Sequence, residues 1–265
     1  MDLGLTGCAV LVTGATGPIG TAVVRRLAEE GAVPLVHYRT KRGAALALAA
    51  ETGGHAIAAD LTIESETDAL IGRSLEVAGA LDGVVANAGW WPGPPLSTHA
   101  MPLSRWQETL QNNLTITFLT ARAYLRHVRA VGHGTLALMA SAAADFGEDG
   151  YADYAAAKSA IAHGLARTLA REITVEAPLA RVNVVAPSWV PPTGAEPPER
   201  TARLTEALTT VPIRRPATVD DVAAAVLWVL SDAAAGYTTG EVIRVTGGMS
   251  GRPVRRLDLQ SPRED

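Results

Sequence analysis

The sequence predicts an α/β fold: a Rossmann-like, doubly wound parallel sheet of about seven strands with helices on both faces. Three observations carry this expectation. Short apolar, β-branched runs alternate with longer helical patterns from one end to the other. Most of these runs are continuously apolar rather than alternating, as strands covered on both faces require. The first run leads through a glycine-rich turn straight into an amphipathic helical pattern, the local layout of a phosphate-binding strand-turn-helix unit.

The strands are expected near Ala9–Val12, Val33–Tyr38, His55–Ala59, Gly83–Ala86, Thr135–Ala140, Arg181–Val185 and Glu241–Val245. Helices are expected between them, near Ile19–Glu30, Gly43–Glu51, Glu64–Ala78, Ser104–Arg129, Tyr151–Thr174 and Val219–Ser231. No internal repeat or Pro/Gly/Ser-rich linker divides the chain, so residues 1–250 are read as one domain, followed by a polar tail, 251–265. Two irregular stretches, Trp90–Pro102 and Trp189–Pro198, each follow a strand. In an open parallel sheet that end faces the ligand, so both are expected at the substrate mouth.

Composition excludes several classes. With 23 Lys+Arg against 27 Asp+Glu and a net charge of −4, the chain has no basic stripe for neutralising nucleic-acid phosphates. The longest wholly apolar run, Val222–Leu230, is far short of the ~18 residues of a membrane span. A lone cysteine, Cys8, allows no internal disulfide or thiolate zinc cluster, and the start of the chain lacks a basic stretch before its apolar run. A cytoplasmic protein is expected. The six histidines show no ligand spacing, so no metal is predicted. Aromatics are only 5% of residues, yet Trp90, Trp91 and Trp189 concentrate in the two irregular stretches. They point to a flat, apolar or aromatic substrate or to a subunit contact.

After the first strand the chain reads Thr13-Gly14-Ala15-Thr16-Gly17-Pro18-Ile19-Gly20. Glycines there permit a tight turn and let backbone approach a pyrophosphate whose charge meets the amides at the helix start. Gly14, Thr16, Gly17, Ile19 and Gly20 are therefore candidate cofactor contacts, and Pro18 suits a first helical turn. Taken alone, the same turn also serves as an ordinary strand-to-helix connection.

Taken with the rest of the chain, this loop resembles the short-chain dehydrogenase/reductase family over nearly the whole length. The resemblance is carried by the glycine loop, Asp60-Leu61-Thr62, Asn87-Ala88-Gly89, Tyr154-Ala155-Ala156-Ala157-Lys158, Pro187, and Val245-Thr246-Gly247-Gly248-Met249, in that order. One departure lies in the loop itself: Pro18 stands where the short branch usually has its middle glycine, and Gly17 sits one place earlier. Another is Pro187-Ser188, which replaces the usual Pro-Gly.

The resemblance implies a nicotinamide cofactor. Where an acid would accept hydrogen bonds from the ribose of NAD, this chain has Tyr38, then Arg39, with Lys41 and Arg42 close by. A guanidinium there suits an additional phosphate, so NADP(H) is expected. Asp60 and Leu61 are implied at the adenine, Asn87, Ala88 and Gly89 beside the cofactor, and Pro187 and Val190 at the carboxamide. Asp60 is equally a helix cap by type, and Asn87-Ala88-Gly89 equally a turn.

Tyr154 and Lys158 lie one helical turn apart and share a face. A phenol titrates near 10, so proton transfer at neutral pH calls for a neighbouring cation, and Lys158 is expected to lower the Tyr154 pKa. By resemblance, Ser141 binds the substrate carbonyl, and Asn113 supports a water-linked proton relay to the lysine, with Asn112 as the alternative register. The implied activity is NADPH-dependent reduction of a ketone, with Tyr154 as proton donor, in a homodimer or homotetramer. Reduction of a C=N bond and non-catalytic NADP sensing are the competing readings. The Pro-rich segment running to Val211 is expected to close as a lid.

Overall fold

A computed structural model describes residues 2–191 and 208–251. Seven parallel strands form one sheet: β1 (Ala9–Val12), β2 (Val33–Tyr38), β3 (His55–Ala58), β4 (Gly83–Ala86), β5 (Thr135–Met139), β6 (Arg181–Pro187) and β7 (Val242–Val245). Their order is β3-β2-β1-β4-β5-β6-β7. The chain turns from one side of the sheet to the other at β1, whose neighbours are β2 and β4. The crevice beyond the carboxyl ends of β1 and β4 is therefore where such a sheet takes its ligand.

The apolar strands serve two cores. Leu11, Val84, Leu136, Leu138 and Val184 pack with Tyr124 and Ile161 on one face. The alternate residues Val10, Val12, Val85, Met139 and Val185 pack with Val23, Leu27 and Val226 on the other. The pleat sends successive side chains to opposite faces, which is why these strands tolerate no polar alternation.

Helices α1 (Pro18–Glu29), α2 (Arg42–Thr52) and α3 (Glu64–Ala78) follow the first three strands. The α3 helix carries Glu64 and Glu66 in its first turn, matching its dipole, and ends at Gly79 with φ 76°. Two helices predicted as continuous are interrupted. Between α4 (Leu103–Leu110) and α5 (Ile116–Val131) lies a π-helical segment, Gln111–Thr115. Another, Ala160–Leu165, separates α7 (Ala152–Ser159) from α8 (Ala166–Glu176). A π turn is a one-residue excess in the hydrogen-bond ladder, and no residue type announces it. Short α6 (Ala143–Phe146), α9 (Val219–Leu230) and α10 (Asp232–Ala235) complete the described helices. The start of α9 is a capping box between Thr218 and Asp221.

The strand ends differ slightly from expectation: Ala59, Ala140 and Glu241 fall just outside, and β6 runs on to Pro187. The Trp90–Pro102 stretch is irregular except for a 3₁₀ turn at Thr98–Ala100. Most of the second stretch and of the expected lid, and the tail beyond Gly251, lie outside the described residues. Among the described residues, no helix is long and apolar enough to cross a membrane.

Candidate active site

The glycine turn after β1 is shaped by two requirements visible in its contacts. Gly14 has φ +61°, and a Cβ there would stand 2.9 Å from the Ala88 Cα. A Cβ on Gly20 would come within 2.6 Å of the Gly14 carbonyl oxygen, so the first turn of α1 can lie against the loop only with glycine at that position. Gly17 is extended, with φ −82°, and acts as the N-cap of α1. Pro18 then occupies the first helical turn, so the departure from the family spacing leaves an ordinary proline-started helix. The α1 N-terminus has no side-chain cap and no acid in its first turn. Thr16 and Ile19 flank this end, with Ile19 partly buried against the core. A glycine cradle against an uncapped positive helix end fits a dinucleotide pyrophosphate.

The turn is fastened from behind by residues of other strands. Asn87, just past β4, donates from Nδ2 to the carbonyls of Thr13 (2.9 Å) and Gly14 (3.2 Å). The Ala88 amide donates to the Thr13 hydroxyl at 3.0 Å. His37 in β2 does comparable work that its sequence position did not reveal. Its Nδ1 accepts the Gly14 amide at 3.0 Å, so Nε2 carries the proton and donates to the Ala59 carbonyl at 3.1 Å. Burial pushes the His37 pKa down to about 4, with Arg73 adding to the effect and the Ala59 bond and Asp60 opposing it. Between pH 6.5 and about 4 the unfolded chain therefore binds a proton that the folded chain refuses, and folded-state stability falls as pH falls. Integrated over that window the loss is about 3 kcal/mol. Urea unfolding of the His37→Gln variant is expected to remove this part of the pH dependence. An unchanged slope between pH 6.5 and 4 would show that His37 is not its source.

Asp60 stands just past β3. Its Oδ1 accepts from the Thr62 amide (3.0 Å) and hydroxyl (2.7 Å), closing a turn ahead of α3. Burial works against its charge, but these two bonds, with Arg39 and His37 nearby, hold its carboxyl below the usual range. Asp60 and the exposed Arg39 thus face the same rim of the crevice, while the Leu61 side chain is buried in the core. At the far wall the Ala142 amide donates to the Pro187 carbonyl (2.8 Å) and the Ser188 amide to the Val245 carbonyl (3.0 Å). Arg214 is the one non-glycine residue with positive φ among those described, so Ser188 sits in place of glycine without strain. Val190 packs partly buried beside this wall.

The predicted catalytic residues converge. Ser141 follows β5, accepts the Ala143 amide at 3.2 Å, and stands close enough to the Tyr154 hydroxyl to lower its pKa. The Lys158 ammonium lies 5.6 Å from the centroid of the Tyr154 ring and donates to the Met139 carbonyl at 2.9 Å. Asn113 is fully buried in the first π segment, and its side chain makes a two-way clamp on Trp90, donating to the carbonyl (2.9 Å) and accepting the amide (3.2 Å). A Cβ on Gly89 would meet Asn113 Oδ1 at 3.1 Å and Lys158 Nζ at 3.5 Å, so Gly89 is the space these two groups share. Asn112 instead bonds back to the Glu108 carbonyl at 2.9 Å, away from this cluster.

Burial pushes the Tyr154 pKa up to about 12, with Ser141 acting to lower it and Glu148 to raise it. Burial also brings Lys158 itself down to about 8. Desolvation disfavours both charged forms. The site therefore holds a protonated tyrosine at neutral pH, a group prepared to donate.

Sequence reasoning missed the support of Tyr154. Asp153 is fully buried; its Oδ1 accepts the Tyr154 amide (2.9 Å), and its Oδ2 accepts Arg105 Nε (3.1 Å) and the Thr109 hydroxyl (2.7 Å). The same guanidinium donates to the Pro94 carbonyl at 2.6 Å. An ion pair between α4 and α7 thus ties the Trp90–Pro102 stretch to the helix that carries Tyr154. Its only sequence signal was an acid directly before the tyrosine. Among the described residues no group of His, Cys, Asp and Glu could hold a metal.

Comparison with known proteins agrees with this geometry. Residues 14–250 match the family model described as Enoyl-(Acyl carrier protein) reductase. The chain is 33% identical over 243 residues to cis-4-hydroxycyclohexanecarboxylate dehydrogenase of Sinomonas cyclohexanicum, covering 90% of this chain and 94% of that protein. It is 32% identical over 250 residues to a 3-oxoacyl-[acyl-carrier-protein] reductase of Synechocystis, covering 92% and 98%. Among solved structures it is similar to the NADH-dependent reductase A1-R' responsible for alginate metabolism, with TM-score 0.79 and 27% identity over 94% of this chain and 99% of that one. The same reductase complexed with NAD matches with TM-score 0.78 and 26% identity, covering 94% of this chain and 99% of that one. With a family model spanning most of its length and these relatives at about a third identity, the chain belongs to the short-chain dehydrogenase/reductase family of nicotinamide-dependent oxidoreductases.

Proposed function

We propose that the protein is an NADP(H)-dependent ketoreductase in which Tyr154 donates the proton that completes reduction of a ketone to an alcohol. The observation that carries this reading is the meeting of Ser141, Tyr154 and Lys158, with the ammonium 5.6 Å from the centroid of the phenol ring and the serine beside a protonated phenol. The relatives named as an oxoacyl reductase and a hydroxycyclohexanecarboxylate dehydrogenase support carbonyl/alcohol chemistry. When bound, the nicotinamide supplies the hydride that reaches the carbonyl carbon. Gly14, Thr16, Gly17, Ile19 and Gly20 would hold its pyrophosphate, Asp60 and Leu61 would border the adenine, Asn87, Ala88 and Gly89 would line the crevice beside it, Pro187 and Val190 would meet the carboxamide, and Lys158 would bind the ribose. Ser141 orients and polarises the carbonyl oxygen, and Tyr154 moves its proton to that oxygen as negative charge develops. Lys158, with Asn113 behind it, stabilises the phenolate left behind and relays a replacement proton.

Preference for NADP(H) rests on Arg39, an exposed guanidinium on the Asp60 rim with no acid at Tyr38 to repel a phosphate. The solved NADH-dependent relative makes this the point to test. Loss of NADPH absorbance with a panel of ketones is expected to exceed loss of NADH absorbance. Arg39→Ala should raise KM for NADPH about tenfold or more while leaving KM for NADH unchanged, since a charge-assisted phosphate contact is worth ~1.5–3 kcal/mol. Equal use of both cofactors by the parent protein would remove the NADP assignment. A cytoplasmic homodimer or homotetramer completes the reading; exposed apolar side chains at Phe118 and Val131 on α5 and Val175 on α8 support association, and light scattering measures it.

A further inference from the structure

The Trp91 indole lies against two tyrosines at once. Its ring centroid is 4.7 Å from that of the catalytic Tyr154, with the planes tilted 59°, and 4.5 Å from that of Tyr151, tilted 48°. Tyr151 is buried, and the Arg105 guanidinium sits 5.7 Å from its ring centroid. Trp91 is held there from both sides. The Asn113 clamp fixes the main chain of Trp90, and the Asp153-bound Arg105 fixes the Pro94 carbonyl three residues on. Yet 46% of Trp91 stays exposed. A tryptophan fixed in place, touching the catalytic ring with one side and open on the rest, is an aromatic wall built beside the proton donor. Water gains nothing from such a surface, whereas a planar ring does.

We propose that Trp91 is a specificity-determining residue that selects ketones carrying an aromatic ring next to the carbonyl, by stacking that ring on its open face while the carbonyl oxygen meets Tyr154 and Ser141. This names the substrate class of the proposed ketoreductase and rests on that reading for its kinetic arm only. Aryl and saturated rings of equal size present similar apolar area. Discrimination between them therefore comes from ring planarity and the quadrupole, which offset or tilted aromatic pairs exploit.

The test uses acetophenone and cyclohexyl methyl ketone, which share one skeleton and differ in the ring alone. Calorimetric Kd with NADP+-loaded protein, where no hydride is available, and steady-state kcat/KM with NADPH are measured for the parent chain, Trp91→Phe and Trp91→Leu. The expected result is a preference for acetophenone in the parent chain, kept by Trp91→Phe and reduced about three- to tenfold by Trp91→Leu. The folded state, read by circular dichroism, and NADPH affinity should be kept across the set. Equal affinity of the parent chain for both ketones, or an aryl preference that survives Trp91→Leu, overturns the proposal. Aryl-selective binding without turnover by any variant would keep the wall and refute the ketoreductase reading, so the two failures are distinguishable.

Discussion

Replacing Lys158 by methionine is expected to abolish ketone reduction and at the same time to make the fold slightly more stable at neutral pH. Lys158 is 4% exposed, and burial lowers its pKa from the ordinary 10.5 to about 8. At pH 7 it is charged in both folded and unfolded chains, and the folded chain bears the full desolvation penalty, about 3 kcal/mol. Methionine fills a similar volume without that penalty, but it leaves the Met139 carbonyl without its 2.9 Å donor, a loss of ~1–3 kcal/mol. The net is a gain of about 1 kcal/mol near pH 7. The sign then changes with pH. Between pH 8 and 10.5 the unfolded chain holds the Lys158 proton and the folded chain has lost it, so the parent protein gains stability relative to the variant as pH rises. The difference in unfolding free energy should move by about 3 kcal/mol across that window and reverse in favour of the parent. Turnover behaves oppositely. Without the ammonium, the phenolate formed by Tyr154 has no counter-charge, and a loss of about 10²-fold or more in kcat is expected. In the parent chain, reduction should decline above an apparent pKa near 8 as Lys158 deprotonates. Chemical denaturation at pH 7 and 10.5, set beside kcat, checks both halves. A variant that is inactive because it is less stable at pH 7 and unchanged in slope would contradict the assignment of Lys158 as a buried charge kept for chemistry.

That trade marks what was and was not legible in the sequence. The strands were legible because burial on both faces leaves only apolar residues, and β1, β2 and β4 fall on their predicted bounds. Tyr154 and Lys158 were legible from their one-turn spacing on a helix, whereas Ser141 was reached only through the family resemblance, and the end of β5 brings it to the same helix face. The acidity of Tyr154 was not, since desolvation depends on what packs around the ring, Trp91 included, and no local pattern encodes it. The task of His37 in fastening the glycine turn was not legible, because its partners, Gly14 and Ala59, come from two other segments of chain. The clasp of Arg105 on Asp153 was hidden for the same reason, its members being separated by a strand and two helices. Register within a helix was also obscured where the π segment around Asn113 adds a residue to the ladder.

A second large effect lies at the opposite end of the sheet, where stability and catalysis separate cleanly. Arg181→Met is expected to destabilise the fold by about 3–4 kcal/mol and to lower the unfolding temperature by about 10 °C, while KM values for cofactor and ketone stay unchanged. Arg181 opens β6 and is 4% exposed. Its guanidinium donates to the carbonyls of Val229 (2.8 Å), Leu230 (3.0 Å) and Ala235 (3.1 Å), to the Thr135 hydroxyl (3.1 Å), and twice to Asp232 Oδ1 (3.0 and 2.7 Å). Val229 and Leu230 are the last residues of α9, so the positive group both satisfies end carbonyls and complements the negative end of the helix dipole. Asp232 is 81% exposed and would be rehydrated after the substitution. The cost therefore falls on the buried carbonyls, which methionine cannot serve, at ~1–3 kcal/mol for each that water fails to reach. Arg181→Lys sharpens the test, because an ammonium keeps the charge but lacks the planar fork that reaches both Asp232 and the helix end. It should recover only part of the loss. Full recovery with lysine would mean that charge alone accounts for the site, and a shift in KM with either variant would mean that this end of β6 communicates with the crevice.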